Sequence, residues 1–455
     1  MKKMKKYKLS IYNEVVEIDS EEESTEVILF AMRSGKIHRM QQEVYENAKN
    51  EKFDLIPTKI LSELIRDNAI VRIDEDETLA TLKENDLMVL ENRNLFFVIQ
   101  PGANCQLGCG YCGQTHTKKQ MTEELMDKVI QRIESKIIAS TTNADTLSIT
   151  WYGAEPLLAL SQIRYLSPKL ISLSEKYKLD YDPDIITNGL GLKENILKEL
   201  IDTYKIRRFQ ITIDGNEENH DTRRFTKKGE PTFNIILNNV INLVNNEYFL
   251  KYGCVVLLRI NIDKTNCNDV IPFIHFLASK NIQKHLRLDF APIVDWGGNK
   301  ASAVSLTRDN LAEYEINWFM EALKLGFMVD DFIPSRGPAC MVVNPTSEVY
   351  DAYGEVTPCY EMNYTDLYKN TEHIIGNLNT NVFSEKISPL RNWHSEIIQD
   401  YPCYTCKFLP VCGGSCPKNW LKNEPTCPTF KYNIGDRLIL EYLKKKGKLM
   451  ELIQL

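Results

Sequence analysis

Three cysteines within eight residues constrain this chain more than any other feature: Cys105, Cys109 and Cys112, spaced Cys-x3-Cys-x2-Cys. The surrounding loop is short and carries Gly102, Gly108 and Gly110. It can wrap three thiolates around one small inorganic object. Three thiolates fill three corners of a 4Fe–4S cube and leave the fourth iron open to nitrogen and oxygen donors. His116 follows at Cys112-x3-His, so spacing alone also admits a zinc site of three cysteines and one histidine. The chain has 12 cysteines in all; seven lie between Cys340 and Cys427, and only Cys254 and Cys267 stand apart. The basic start, Met1-Lys2-Lys3-Met4-Lys5-Lys6, is followed by no apolar stretch and reads as a solvated tail, not an export signal. The expected location is cytoplasmic. Thiols there stay reduced, so clustered cysteines indicate metal or redox chemistry more than disulfides.

With 455 residues, 43% of them hydrophobic, the chain can bury more than one core. A prior of roughly three domains follows from the length. The net charge of −7 argues against a general nucleic-acid binder. No apolar run approaches the ~18 residues of a membrane span.

Residues 1–90 read as a small α+β module. Strands are expected at 7–13, 15–18, 27–31 and 69–73, and helices at 41–48 and 57–66. A turn is expected at Arg33-Ser34-Gly35-Lys36, and a solvated acidic exit at 74–77. Residues 95–300 alternate strand and helix. The strands are 96–100, 147–151, 184–187, 208–213, 254–260 and 286–292; helices such as 194–204, 233–244 and 267–278 separate them. Six strands with helical crossovers imply an α/β fold, a parallel sheet curled into a partial (β/α)6 barrel. Residues 301–339 form a bridge with one helix at 310–325. From Cys340 to residue 455 the chain is rich in Cys, Pro and Gly and poor in periodic segments. Metal sites would supply what such a domain's core cannot. A helix at 434–445 closes the chain.

The cysteine loop, with aromatic Tyr111 before its last cysteine, resembles the signature of the radical S-adenosylmethionine (SAM) superfamily. Its place directly after the first barrel strand fits as well. The resemblance implies that the free iron chelates the amino and carboxylate groups of SAM. One electron then cleaves SAM to a 5′-deoxyadenosyl radical, which abstracts hydrogen from an unreactive C–H bond. Tyr152-Gly153-Ala154-Glu155-Pro156 resembles the family's Gly-Gly-Glu-Pro motif, with Ala154 at the second glycine and Glu155 as the anionic partner of the SAM ammonium. Thr187-Asn188-Gly189, and then Thr212-Ile213-Asp214-Gly215, resemble the motifs that end the third and fourth strands. His220-Asp221-Thr222-Arg223-Arg224 matches the pattern that follows. Arg224 is the expected partner of the SAM carboxylate; Arg259 and Asn261 are further polar contacts.

The later cysteines resemble a SPASM domain: Cys340-x13-Gly354-x4-Cys359, then Cys403-x2-Cys406-x5-Cys412-x3-Cys416, then Cys427. One or two zinc sites would be the bland alternative. The resemblance implies two auxiliary 4Fe–4S clusters. Cys403, Cys406, Cys412 and Cys427 would hold the outer one, and Cys340, Cys359 and Cys416 the inner one, with its fourth iron open or held by another ligand. Cys254 and Cys267 read as buried free thiols.

The N-terminal module resembles the winged-helix recognition element of ribosomal-peptide maturases, in which an extended leader can add to a sheet edge. The expected protein is therefore a radical SAM/SPASM maturase of a ribosomally made precursor peptide. It would install a thioether or carbon–carbon crosslink and draw electrons from an external donor such as flavodoxin or ferredoxin. Two alternatives stand beside it. One is an anaerobic sulfatase maturase making formylglycine, which carries an aspartate where this chain has Tyr360, followed by Glu361. The other is a zinc-stabilised scaffold without catalysis.

Overall fold

A computed structural model describes residues 7–19, 25–140, 144–295, 297–337, 340–369, 371–384 and 388–449. The basic start, residues 1–6, lies outside the described residues. The chain divides into two compact units. The first comprises Met1–Glu91, Asp331–Val343 and Asn392–Leu455; the second comprises Asn92–Asp330 and Asn344–Arg391. Among the described residues no helix is long and apolar enough to cross a membrane.

In the first unit, β1 (Tyr7–Leu9) pairs with β5 (Ile70–Arg72), while β2 (Asn13–Asp19), β3 (Thr25–Ala31) and β4 (Lys36–Gln41) form an antiparallel sheet in that order. Helices α1 (Gln42–Lys49), α2 (Thr58–Arg66) and α3 (Glu77–Leu90) complete the module. Alternate residues of β3, Val27, Leu29 and Ala31, pack in one core with Leu61, Leu64 and Ile70. One expectation is extended here and one is corrected. The expected turn is present at 32–35, and it leads into a strand that the sequence reading lacked, β4, paired with β3 from Ala31↔Lys36 to Glu26↔Gln41. Its polar residues hid it, but central β3 has backbone groups on both edges to satisfy. The acidic run 74–77 is not a solvated exit. Asp76 caps α3 by accepting the Leu79 N–H at 3.0 Å. Glu77 is buried and accepts from Ser10 Oγ at 2.5 Å while pairing with Lys8 at 3.1 Å.

In the second unit, β6 (Asn94–Ile99), β7 (Thr146–Trp151), β8 (Asp180–Thr187), β9 (Arg208–Thr212), β10 (Val255–Ile262) and β11 (Leu286–Pro292) stand side by side in chain order, all parallel. Helices Glu123–Ala139, Leu160–Tyr177, Phe233–Val244 and Val270–Ala278 lie between them in the chain. Phe209 and Ile211, like Val256, Leu258 and Ile260, are fully buried alternate residues. Arg208, Gln210 and Thr212 take the opposite face of β9. This is the expected mixed α/β fold with its parallel sheet.

The stretch after Cys340 is more regular than its composition implied. β12 (Glu348–Tyr350) joins β6 in parallel, and β13 (Glu355–Thr357), β14 (Gly376–Asn377) and β15 (Val382–Phe383) continue the same sheet antiparallel. The strands are too short for periodicity to betray them. Glu348 pins this extension. It is almost fully buried and takes Arg132 bidentately at 2.6 and 2.9 Å and Lys136 at 2.8 Å. Burial alone would raise its pKa, but Arg132 and Lys136 hold it below the usual glutamate value. Its contribution to stability is therefore present above the unfolded glutamate pKa and is lost as pH falls through the depressed folded value. Glu348→Gln is expected to cost about 3–5 kcal/mol in chemical denaturation, because two cations lose their buried counter-charge. It should also flatten the acid limb of stability against pH.

Candidate functional site

The C-terminal ends of the parallel strands carry the chemistry-bearing loops, as barrel geometry dictates. The loop after β6 is laced to the segment 223–227. Gly108 N–H donates to Phe225 O at 2.8 Å, Gly110 N–H to Arg223 O at 3.1 Å, and Lys227 N–H to Gln106 O at 2.9 Å. Held this way, Cys105, Cys109 and Cys112 line one cavity of about 270 Å³. Leu107 N–H and Asn188 Nδ2 both point at Cys105 Sγ, at 3.4 and 3.7 Å. Burial pushes the Cys105 thiol up to about 12, with Glu155 adding to the effect. Burial raises Cys109 and Cys112 too. Such thiols ionise readily only when a metal replaces the proton.

Tyr111 sits at the centre of a buried polar hub. Its hydroxyl donates to Asp214 Oδ2 at 2.6 Å and accepts from Arg224 Nη1 at 2.6 Å and from Asn261 Nδ2 at 3.0 Å. Asp214 is fully buried, and its Oδ1 accepts the Asn261 N–H at 3.0 Å. A second relay fixes the backbone around it. Asp214 N–H donates to His220 Nδ1 at 3.2 Å, so Nε2 carries the proton and faces Thr232 Oγ1 at 3.1 Å. Thr232 in turn donates to the Arg224 carbonyl at 2.5 Å. Burial and the neighbouring Arg224 and Arg223 lower the His220 pKa to about 3, consistent with a neutral ring. The motif His220–Arg224 thus works as one strut: it holds Asp214 and Arg224 where both meet Tyr111.

Of the residues singled out in the sequence, Tyr111, Ala154, Asn188, Thr212, Arg224 and Asn261 line the cavity. Gly153, Glu155 and Asp214 stand behind that lining. Gly153 has φ +81°, and a Cβ there would lie 2.6 Å from Gln100 Cβ, so only glycine fits the turn. Glu155 faces protein: its carboxylate accepts from Thr187 Oγ1 at 2.7 Å, Asn188 N–H at 2.8 Å and Leu157 N–H at 2.9 Å. The carboxylate is 1% exposed, and burial raises its pKa. Its evident work is to shape the two loops that end β7 and β8. Arg259 lines the cavity while held by Asp289 and Asn261, each at 3.0 Å, and Tyr360 and Glu361 line it as well. Gln210 is a wall residue the motif reading passed over. The available signal was a polar residue two positions before Thr212, on the face of β9 opposite Phe209 and Ile211.

His116 also lines the cavity, with Nε2 at 3.8 Å from Cys112 Sγ, and burial lowers its pKa to about 4. Among the described residues no three His, Cys, Asp or Glu side chains converge on a single metal-ion position. Three thiols spread around a cavity suit a multi-atom cluster better than one zinc ion. Arg224 Nε and Gln114 Nε2, on wall residues, are buried donors without a partner. That donor set fits an anionic carboxylate, as SAM carries.

Within the first unit, Cys403, Cys406, Cys412 and Cys427 line a cavity of about 40 Å³. Burial and neighbouring thiols push Cys403 up to about 12. Gly413, Gly414 and Ser415 are successive left-handed residues, with φ of 59°, 92° and 60°. They turn the chain sharply between Cys412 and Cys416. Trp393 and Trp420 clamp the turn by donating to Gly413 O and Gly414 O at 2.9 and 3.0 Å. A Cβ on Gly414 would lie 2.5 Å from Trp393 Nε1. Gly414→Ala is expected to cost about 2–3 kcal/mol, from left-handed strain plus overpacking, and to lower iron content in anaerobic preparations. The three cysteines expected for an inner cluster are divided between the units: Cys340 and Cys416 in the first, Cys359 in the second.

Comparison with known proteins agrees with this geometry. Residues 99–266 match the family model of the Radical SAM superfamily. The chain is 26% identical over 372 residues to a serine-type anaerobic sulfatase-maturating enzyme of Bacteroides thetaiotaomicron, covering 71% of this chain and 83% of that one. It is 24% identical over 381 residues to a cysteine-type anaerobic sulfatase-maturating enzyme of Clostridium novyi, covering 74% and 94%. Among solved structures, native anSMEcpe with bound AdoMet and Cp18Cys peptide covers 79% of this chain and 99% of its own, with a TM-score of 0.53 at 19% identity. At that identity the structural likeness speaks to the fold.

Proposed function

Starting from an enzyme of the radical SAM oxidoreductase type, with a Radical SAM domain at residues 99–266, we propose that this protein oxidatively modifies a ribosomally made precursor peptide, installing an intramolecular thioether or carbon–carbon crosslink. The observation that carries the reading is the convergence of three thiols and of Tyr111, Arg224 and Asn261 on one cavity, with Asp214 holding Tyr111 from behind. Cys105, Cys109 and Cys112 would hold a 4Fe–4S cluster by three corners. Arg224 and Gln114 would meet the SAM carboxylate with their unpartnered donors, and Asn188 and Thr212 would line its bed. When bound, the cluster and SAM supply a carbon radical that takes a hydrogen atom from the substrate. Glu155 would shape the SAM-binding loops through its hydrogen bonds and not pair with the ammonium directly. Cys403, Cys406, Cys412 and Cys427 would hold an outer auxiliary cluster, which would supply a place for the electron left over when the new bond forms. Residues 1–90 would bind the leader, and an external reductant would serve the first cluster.

Formylglycine formation is the second reading, favoured by the two sulfatase-maturating relatives, each aligned over more than 70% of this chain. One experiment separates the two. The enzyme is reconstituted anaerobically with iron, sulfide, SAM and reductant, then offered a precursor peptide encoded beside it and a sulfatase-derived cysteine or serine peptide. The proposed function predicts 5′-deoxyadenosine together with a loss of two hydrogens from the precursor. Formylglycine on the sulfatase peptide, with the precursor unchanged, would reverse the order.

A further inference from the structure

A second cavity, of about 250 Å³, lies in the same unit as the first. The two share a wall. Along the segment after Cys112, Gln114 and His116 line the first cavity while Thr115 and Thr117 line the second. This is the alternation of extended backbone, whose successive side chains point to opposite sides. The loop after Cys359 divides in the same way: Tyr360 and Glu361 line the first cavity, and Met362, Tyr364 and Thr365 line the second.

The second cavity has an unusual combination of walls. Two carboxylates, Asp351 and Glu355, line it beside the rings of Tyr353, Tyr364, Tyr368 and His373. Asp351 is 1% exposed, and three donors reach it: the N–H groups of Tyr353 and Glu355, each at 2.9 Å, and Asn363 Nδ2 at 3.2 Å. A carboxylate has about four acceptor sites, so capacity remains. The half-buried Glu355 carboxylate has no hydrogen-bond or ion-pair partner among the described residues. His373 Nδ1 is buried and also lacks a partner. The lining cation, Lys369, is exposed and occupied by Asp366 at 2.5 Å. The cavity therefore sets two carboxyls among aromatic faces; burial raises both, Asp351 to about 7, with Lys369 opposing the rise at Glu355, so an added cation would favour their ionised forms. Among the described residues no three metal-binding side chains converge there, so they offer a point-like metal ion no coordination set. An extended organic cation matches, since ring faces and carboxylates both attract a guanidinium or alkylammonium.

We propose that this second cavity binds the guanidinium or alkylammonium group of an arginine or lysine side chain on the peptide being modified. This rests on the peptide-substrate reading given above. Because the cavities share a wall, a basic side chain seated in the second would hold a neighbouring substrate residue at the first. Asp351 and Glu355 would supply the counter-charge, and Tyr353 and Tyr368 the ring faces.

The test needs no turnover. Reconstituted full-length enzyme is titrated with Nα-acetyl-arginine methylamide and with its neutral citrulline counterpart, followed by ligand-observed saturation-transfer NMR. Methylguanidinium is titrated in parallel, to distinguish a free small cation from one carried on a peptide backbone. The expected result is at least about tenfold tighter binding of the arginine compound than of the citrulline compound, and tighter than methylguanidinium. Glu355→Gln should weaken the arginine compound about tenfold and leave the citrulline compound unchanged. Tyr353→Leu, at the exposed mouth, should weaken it severalfold, and both variants should keep SAM cleavage without peptide. Equal binding of the two compounds, indifference to Glu355→Gln, or methylguanidinium binding as tightly as the arginine compound would overturn the proposal. Since binding is read directly, this result stands apart from whether any given precursor is crosslinked.

Discussion

Replacing Cys105, Cys109 and Cys112 together with alanine is expected to remove about four iron atoms per chain and to abolish 5′-deoxyadenosine formation. The effect is large because the three thiols are the candidate cluster's only links to protein. Cys105 is buried, and burial pushes its thiol up to about 12. With all three replaced, no thiol of that loop is left to hold an iron. A loss above about 10³-fold corresponds to more than about 4 kcal/mol of barrier. Iron analysis and chromatography of the nucleoside product measure both quantities. If Cys403, Cys406, Cys412 and Cys427 hold the proposed outer cluster, its iron should remain and the variant should stay coloured. A triple variant that still cleaved SAM at the parent rate would remove the basis of the proposed function.

The second large effect is expected at Asp214, a residue that stands behind the lining of the first cavity and yet holds the hub together. Asp214→Ala deletes the acceptor of the Tyr111 hydroxyl and of the Asn261 N–H. It also removes one of two carboxylates beside Arg223, 3.8 Å away, and leaves it Asp263 at 3.3 Å. Arg224, 7% exposed, then keeps only a tyrosine hydroxyl that has lost its own acceptor. Stranding buried donors and cations in this way costs about 3–5 kcal/mol. SAM affinity should fall at least tenfold by isothermal titration of the anaerobic enzyme, and the unfolding midpoint should drop. Asp214→Asn keeps an acceptor oxygen for Tyr111 and should restore part of the stability but less of the affinity, since the charge is gone. If Asp214→Ala bound SAM as well as the parent, the hub would be only a packing feature.

These two predictions differ in how they could be reached. The three-cysteine loop was legible because its residues are adjacent in the chain, and few chemistries use that spacing. The hub was not, because Tyr111, Asp214, Arg224 and Asn261 come from four separate segments. Their order at strand ends showed that each belonged near the site. Only the fold showed which of them line the cavity and which, like Asp214 and Glu155, stand behind the lining and position it. Glu155 illustrates the difficulty. A carboxylate after two small residues looks like a ligand for an ammonium, but its nearest donors are Thr187, Asn188 and Leu157 of its own chain.

In the first module, strand β4 was hidden by its composition: of Lys36-Ile37-His38-Arg39-Met40-Gln41, only Met40 is buried. Its backbone, paired to β3 along its whole length, is what makes it a strand. Likewise β12 to β15 are two or three residues each, too short for periodicity to register, and they exist because neighbouring backbone completes the sheet.

The sequence by itself determined what lies within a few residues along the chain: cysteine spacing, the alternation of buried strands with helices, and the glycine turns. Local chemistry and periodicity are properties of contiguous residues, so they survive without coordinates. The tertiary structure alone decided which distant residues share a wall, and which carboxylates face protein and which face a cavity. Hydrogen bonds and burial act between groups close in space, and closeness across a hundred residues is set only when the sheet assembles.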